Sequence, residues 1–189
     1  YLVPRRSEKC LRDELWVWLS VRTCHSEDFV DRVLSDEGQI GLGRAIRSPD
    51  LEMRQFHTEE LFLVCAPGHP VAKRRNVAIE EVAAERMIMF DLTSSYYEIT
   101  QAAFLAAGVK LRGLMELDSI EAAKKMVERG LGVALLPRTA VAREVATRAL
   151  RLVKMKDAPP MYQSIVAYRR IDSGKPEGIV AAFLELLAS

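Results

Sequence analysis

Met115–Ala140, MELDSIEAAKKMVERGLGVALLPRTA, carries the pattern of a complete strand–helix–strand unit and decides the fold class. Asp118, with a glutamate three residues later, predicts the start of the helix, and Gly130 predicts its end. Val133–Leu136 is a short, wholly apolar run that Pro137 terminates. Such a run after a helix is typical of a strand buried on both faces, as in parallel sheets covered by helices. The stretch therefore predicts an α/β layer.

A second unit of the same kind precedes this one. Met87–Phe90 is another apolar run, followed by a polar loop and by a helical pattern from Tyr96 to Ala107. Further upstream, strands are predicted at Gln39–Ile46 and Leu61–Ala66, the latter ending in a Pro-Gly-His-Pro turn strong enough to mark a lobe boundary. The length of 189 residues, 49% of them hydrophobic, suits one large domain or two small lobes.

Charge and composition exclude several classes of partner. The 27 Lys and Arg residues nearly cancel the 26 Asp and Glu residues, so a net charge of +1 provides no long-range attraction to nucleic acid or to an anionic membrane. We therefore expect that the chain is not itself a DNA-binding surface. No apolar run approaches the roughly 20 residues that span a bilayer, and the start, YLVPRRSEKC, lacks the order of a secretory signal.

The cysteines predict a reducing compartment. Cys10, Cys24 and Cys65 form an odd set without motif spacing, as is usual where thiols stay reduced. We expect a cytoplasmic protein.

The candidate ligand-binding residues follow from the α/β pattern. In parallel α/β sheets, ligands bind beyond the carboxyl ends of the strands, where helix N-termini offer free N–H groups and a positive dipole end to anions. The polar or glycine positions that this rule selects are Cys24, His25, Ser26, Gly43, Arg44, Thr93, Ser94, Ser95, Ser119 and Arg138. The alternative for each hydroxyl is simple helix capping, and for the two arginines a surface ion pair.

Signatures of catalysis or of a cofactor are weak. Cys24 and His25 are neighbours, but successive side chains of an extended segment point apart, which disfavours a thiol–imidazole pair. The three histidines follow no metal-ligand spacing, and the sequence contains no G-x-G-x-x-G, Walker A or G-x-S-x-G motif. We expect no enzyme activity, no metal and no cofactor.

Four segments together resemble the effector-binding domain of LysR-type transcriptional regulators, and the resemblance covers almost the whole chain. They are YLVPR at the start, SEDFVDRVLSDEGQIGLG from Ser26, ELFLVCAPGHPVAKRRNVAIEEVA from Glu60 and DSIEAAKKMVERGLGVALLPRTAVARE from Asp118. The resemblance implies two Rossmann-like α/β lobes, as in type 2 periplasmic binding proteins, joined by two crossovers. Lobe I would comprise residues 1–67 and 165–189, and lobe II residues 68–164.

The resemblance also implies a pocket. The family's polar pocket positions fall near Cys24–Ser26 and at Thr93–Tyr96, which adds Tyr96 to the candidates chosen from strand ends. Two departures stand out: the family's first strand is not found before Tyr1, and Gly41 stands where an acidic residue is more usual.

The implied function is non-catalytic sensing. A small, anionic metabolite would bind in the cleft of a homodimer or homotetramer, and promoter DNA would be bound by a separate N-terminal helix-turn-helix domain. Peroxide sensing is disfavoured because residues 68–164 contain no cysteine. The helix Ile120–Arg129, with Lys124, Lys125, Glu128 and Arg129, would pair with the first helix of a partner subunit. The alternatives are a solute-binding protein of a transporter and an enzyme on the same fold.

Overall fold

The computed structural model describes residues 20–22, 26–46, 48–111, 115–174 and 176–188. The segment YLVPR and the rest of residues 1–19 lie outside these ranges. The chain divides into two compact units. Unit 1 comprises Tyr1–Thr58 with Ser164–Ser189, and unit 2 comprises Glu59–Gln163. The lobe boundaries given above stay a prediction.

Helices and strands alternate along most of the chain. In order they are α1 (Ser26–Leu34), β1 (Gly41–Arg44), β2 (Leu51–Cys65), a 3-10 helix (Pro70–Lys73), β3 (Asn76–Ala78), α2 (Ile79–Ala83), β4 (Met87–Phe90), α3 (Ser95–Ala106), β5 (Met115–Leu117), α4 (Ile120–Glu128), β6 (Val133–Pro137), α5 (Arg138–Ala146), β7 (Arg151–Lys156), β8 (Tyr162–Arg170), a second 3-10 helix (Ile171–Ser173) and α6 (Gly178–Ala188). Among the described residues, no helix is long and apolar enough to cross a membrane.

The strands of unit 2 pair in the order β3, β7, β2, β6, β4, β5. β4 is parallel to β6, with Met87 opposite Val133, and parallel to β5 on its other side. β2 is antiparallel to β6, with Leu61 opposite Pro137. The carboxyl ends of β4, β5 and β6 therefore meet at one edge of the sheet, and the residues just before Leu61 reach the same edge.

The core of unit 2 lies on both faces of this sheet. Along β6, Val133 and Leu135 pack in a cluster with Phe104 of α3, whereas Ala134 and Leu136 pack in a cluster with Val127 of α4. Each fully buried Val, Leu or Phe side chain contributes about 1.5–3 kcal/mol. The prediction of a strand buried on both faces and covered by helices is confirmed.

Unit 1 has the same layered arrangement on a smaller scale. β1 and β8 are antiparallel, with Gly41 opposite Tyr168. Phe29 of α1 packs against Tyr168, while Phe183 of α6 packs against Ala167, the preceding residue of β8. Since neighbouring residues of a strand point to opposite faces, α1 and α6 cover opposite faces of β8.

Two local expectations are wrong. The N-cap of α4 is Ser119 rather than Asp118, because the Ser119 hydroxyl accepts the hydrogen bond from the Ala122 N–H at 3.4 Å. β2 begins at Leu51 rather than Leu61. The first part of β2 is mostly exposed and polar, so it lacks the apolar run that identifies a buried strand.

Candidate functional site

Three helices of unit 2 begin at the same edge of the sheet. α3 follows β4, α4 follows β5 and α5 follows β6, each after a short connection or none. The first N–H groups of each helix have no partner within the helix, and the helix dipole makes this end positive. The sequence candidates that this edge brings together are Thr93, Ser94, Ser95, Tyr96, Ser119 and Arg138.

Two of these serines cap helices. The Ser94 hydroxyl accepts a hydrogen bond from the Tyr96 N–H at 3.3 Å, and the Ser119 hydroxyl caps α4 as described above. Both side chains therefore cap helices, and their role in ligand binding stays a prediction. An accepting hydroxyl still carries its own proton, so each serine can also donate to a bound anion.

The Thr93 hydroxyl is a hydrogen-bond donor within the protein, whereas the two serine hydroxyls are acceptors. Its Oγ1 donates to the Asp91 carboxylate, and its backbone N–H donates to Asp91 Oδ1 at 3.0 Å. Since the proton is already engaged, Thr93 presents only lone pairs to other groups.

The most buried polar group at this edge is Glu59, which the sequence reasoning did not select. Its side chain is only 7% exposed. The Tyr96 hydroxyl donates to Glu59 Oε1 at 3.0 Å, and the Thr139 hydroxyl donates to Glu59 Oε2 at 2.8 Å. Since Tyr96 and Thr139 lie in the first turns of α3 and α5, Glu59 connects the beginnings of both helices.

Tyr96 is held from two sides. Its ring packs against Phe90, the last residue of β4, with ring centroids 5.2 Å apart. Burial, and then the neighbouring Glu59 carboxylate, raise the pKa of Tyr96 well above its usual range. The phenol therefore keeps its proton at physiological pH and remains a hydrogen-bond donor to Glu59.

Ser95 and Arg138 complete the edge. Gln163 Nε2 donates to the Ser95 hydroxyl at 2.9 Å, which leaves the serine proton available. Arg138, the first residue of α5, is exposed, and it forms no ion pair with any residue that the structure describes. Among the described residues of this edge, Arg138 thus forms no ion pair, and Ser94, Ser95 and Ser119 each keep a proton to donate.

Two predicted ligand-binding residues of unit 1, Gly43 and Arg44, lie in packed surroundings rather than at converging helix N-termini. Gly43 lies against the Phe29 ring, and the Arg44 carbonyl accepts a hydrogen bond from the buried Tyr168 hydroxyl. Ser26 is the first residue of α1. Cys24 and His25 lie outside the described residues. The structure therefore explains by packing why a glycine occupies position 43. The ligand-binding role of the unit 1 candidates stays a prediction.

Metal and thiol chemistry have little support in the described part of the chain. No three His, Cys, Asp or Glu side chains there lie close enough together to hold a metal ion. Cys65 is fully buried, and burial raises the pKa of its thiol to about 11. A buried thiol with so high a pKa is a poor nucleophile.

The residues that the sequence reasoning missed are Glu59, Thr139 and Gln163. Thr139 directly follows a selected position, so the rule of helix N-termini could have included it. Glu59 and Gln163 lie outside the apolar runs of their strands, and only their hydrogen bonds to Tyr96, Thr139 and Ser95 show that they reach this edge.

Comparisons with known proteins identify relatives over the full chain. The sequence profile of the LysR substrate binding domain matches residues 1–189. The chain is 25% identical over 171 residues to the RuBisCO operon transcriptional regulator of Allochromatium vinosum, covering 90% of the chain and 57% of that protein. It is 24% identical over 189 residues to the transcriptional activator CmpR of Synechocystis sp. (strain ATCC 27184 / PCC 6803 / Kazusa), covering 99% and 61%. The chain thus spans less than two thirds of these relatives.

Solved structures show the same fold. The regulatory domain of CcmR from Synechocystis PCC6803, in complex with 2-PG, has a TM-score of 0.85 at 22% identity and covers 100% of this chain and 90% of that one. The effector binding domain of QuiR, in complex with shikimate, has a TM-score of 0.82 at 16% identity and covers 98% and 88%.

Proposed function

Because the chain belongs to the LysR substrate binding domain family, we propose that it is the ligand-sensing part of a LysR-type transcriptional regulator. It binds a small, anionic metabolite in the cytoplasm and does not catalyse a reaction. DNA is bound by a helix-turn-helix domain of the same regulator outside this chain. The predicted fold class is confirmed: these effector-binding domains have a fold like that of type 2 periplasmic binding proteins.

One observation carries the assignment of the binding site. At the carboxyl edge of the unit 2 sheet, the N-termini of α3, α4 and α5 converge with three serine hydroxyls that keep their protons and with the exposed Arg138. Donors of this kind around helix N-termini favour a carboxylate or a phosphate. We assign this edge to lobe II of the binding domain.

The alternatives receive less support. The curated relatives are transcriptional regulators, which implies a regulatory rather than an enzymatic role. The same relatives disfavour a solute-binding protein of a transporter. A sensor changes DNA binding only if its effector has different affinities for two states of the regulator, so binding rather than turnover is the property to measure.

A thermal-shift screen tests the proposal. We expect at least one compound in a panel of organic acids, sugar phosphates and amino acids to raise the unfolding midpoint, since a ligand of the native state stabilises it by about 2.7 kcal/mol at one hundred times its Kd. Ser95→Ala should weaken binding of that compound by at least about tenfold, the equivalent of about 1.4 kcal/mol.

The matched control is Thr147→Ala, which removes a hydroxyl at the opposite end of α5. It should bind the compound as the wild type does. A panel without a single stabilising compound would reject the sensing function. Equal loss of binding in both variants would reject the site while leaving the function intact.

A further inference from the structure

The chain passes between its two compact units twice, and we call these two places the crossings. Unit 2 begins at Glu59 and ends at Gln163, so one crossing is the Thr58–Glu59 link and the other is the Gln163–Ser164 link. Both links lie inside continuous strands, β2 and β8, rather than in loops. How easily a strand opens locally depends on the contacts of its residues, so the side chains beside each crossing decide how firmly it is held.

Glu59 holds the β2 crossing to unit 2. Its side chain is 7% exposed, and its carboxylate oxygens accept hydrogen bonds from Tyr96 of α3 at 3.0 Å and from Thr139 of α5 at 2.8 Å. A buried carboxylate that loses these donors is left without compensation for its removal from water. Glu59 therefore resists displacement from the first turns of α3 and α5.

Gln163 holds the β8 crossing to the same turn of α3. Its Nε2 donates to the Ser95 hydroxyl at 2.9 Å, and Ser95 directly precedes Tyr96 in the chain. The two crossing segments are also joined by their backbones, because the Leu61 N–H donates to the Met161 carbonyl at 2.9 Å. Both crossings are therefore attached to two consecutive residues of one helix.

We propose that the first turn of α3 couples the two crossings, so that they loosen together and not one at a time. This coupling goes beyond the sensing function proposed above and does not depend on any ligand. A regulator responds to its effector through a change between two states. A change at this turn of α3 reaches both crossings at once, which makes the turn a conformational device built into the fold.

Amide hydrogen exchange, followed by NMR on the protein without ligand, tests the coupling. Tyr96→Phe keeps a ring against Phe90 but removes the hydroxyl that donates to Glu59. Exchange should become at least about tenfold faster at residues 57–60 and, although the Gln163 bond is untouched, at residues 162–165 as well. Each rate is divided by that of Leu135 in β6, so that a loss of overall stability does not count.

Gln101→Ala is the matched control, since it removes a side-chain hydrogen bond to Tyr97 further along the same helix. It should leave exchange at both crossings within about twofold of the wild type. If Tyr96→Phe does not fold, Ser95→Ala tests the coupling in the reverse direction. It removes the partner of Gln163, and exchange should rise at residues 57–60 as well as at 162–165.

Three results would overturn the inference. Faster exchange at one crossing alone would show two independent contacts, and unchanged exchange at both would show that the hydroxyl of Tyr96 restrains neither. Equal acceleration in Gln101→Ala would show a general loosening of α3. None of these results bears on the sensing function, because the experiment contains no ligand and the thermal-shift screen tests that function separately.

Discussion

Gly43 leaves room for the Phe29 ring, which packs directly against its Cα. A glycine inside a strand indicates a close approach of some group but does not identify that group. A Cβ atom added at Gly43 would lie 2.5 Å from Phe29 Cε1 and 2.8 Å from Cζ. Phe29 is buried between α1 and β8, where its ring lies 5.1 Å from that of Tyr168. Gly43→Ala should therefore destabilise the protein by about 1–3 kcal/mol, as overpacking of a filled core does. Urea unfolding measures the loss.

Gly38→Ala is the control for this change. A Cβ at Gly38 would meet nothing within 4 Å, and its backbone is not left-handed. Its free energy of unfolding should stay within about 0.5 kcal/mol of the wild type. Equal destabilisation of the two variants would contradict the packing argument and would point to the loss of glycine flexibility instead.

At the scale of elements, a buried lysine fastens α4 to α5. Lys124 is 3% exposed, and its ammonium bonds Glu144 at 2.9 Å, Glu121 at 2.8 Å and the Ala140 carbonyl at 3.1 Å. Burial alone would lower the pKa of Lys124, but the two carboxylates outweigh it and raise that pKa. The expectation that Lys124 faces a partner subunit is therefore wrong.

Lys124→Met should destabilise the protein by about 3–5 kcal/mol, since it leaves the mostly buried Glu144 carboxylate without its cation. Adding Glu144→Leu should recover most of the loss, because an apolar pair replaces the ion pair. Lys125→Met, at a side chain 68% exposed, should cost less than about 1 kcal/mol. Chemical denaturation distinguishes these variants, and a double variant as unstable as Lys124→Met would refute the explanation.

The elements also show how far local sequence patterns reach. The strand Val133–Pro137 and the helices beside it were predictable because apolar spacing and glycine stops are local properties. The contacts of Glu59 were not predictable from local patterns. Its hydrogen-bond partners lie 37 and 80 residues away along the chain, and no neighbouring residue in the sequence indicates them. Lys124 and Lys125 are both lysines, and the sequence does not distinguish them. Only the packing of α5 against α4 shows that Lys124 is buried and Lys125 is exposed.

At the scale of the whole molecule, the same limit applies to function. The resemblance found in the sequence was enough to predict the family and the fold, because the matching segments extend over almost all of the chain. The polar contacts at the unit 2 edge were less accessible, since Glu59 meets Tyr96 and Thr139 only in the folded chain. A serine or threonine in a sequence does not reveal whether its oxygen donates or accepts.

The expected dimer can be tested at the exposed face of α4, which we expect to contact a partner subunit. Arg129, at the end of α4, is exposed, and the first helix of the partner that we expect to pair with α4 carries Arg5, Arg6, Glu8 and Lys9, which lie outside the described residues. If two copies pair in this way, Arg129→Glu replaces a repulsive contact with the mostly cationic facing set by an attractive one and should lower the dimer dissociation constant about tenfold. Arg143→Glu makes the same change at an exposed position of α5 and should leave the constant unchanged. Light scattering over a dilution series measures both, and an identical mass profile for the two variants would place the subunit interface elsewhere on the surface.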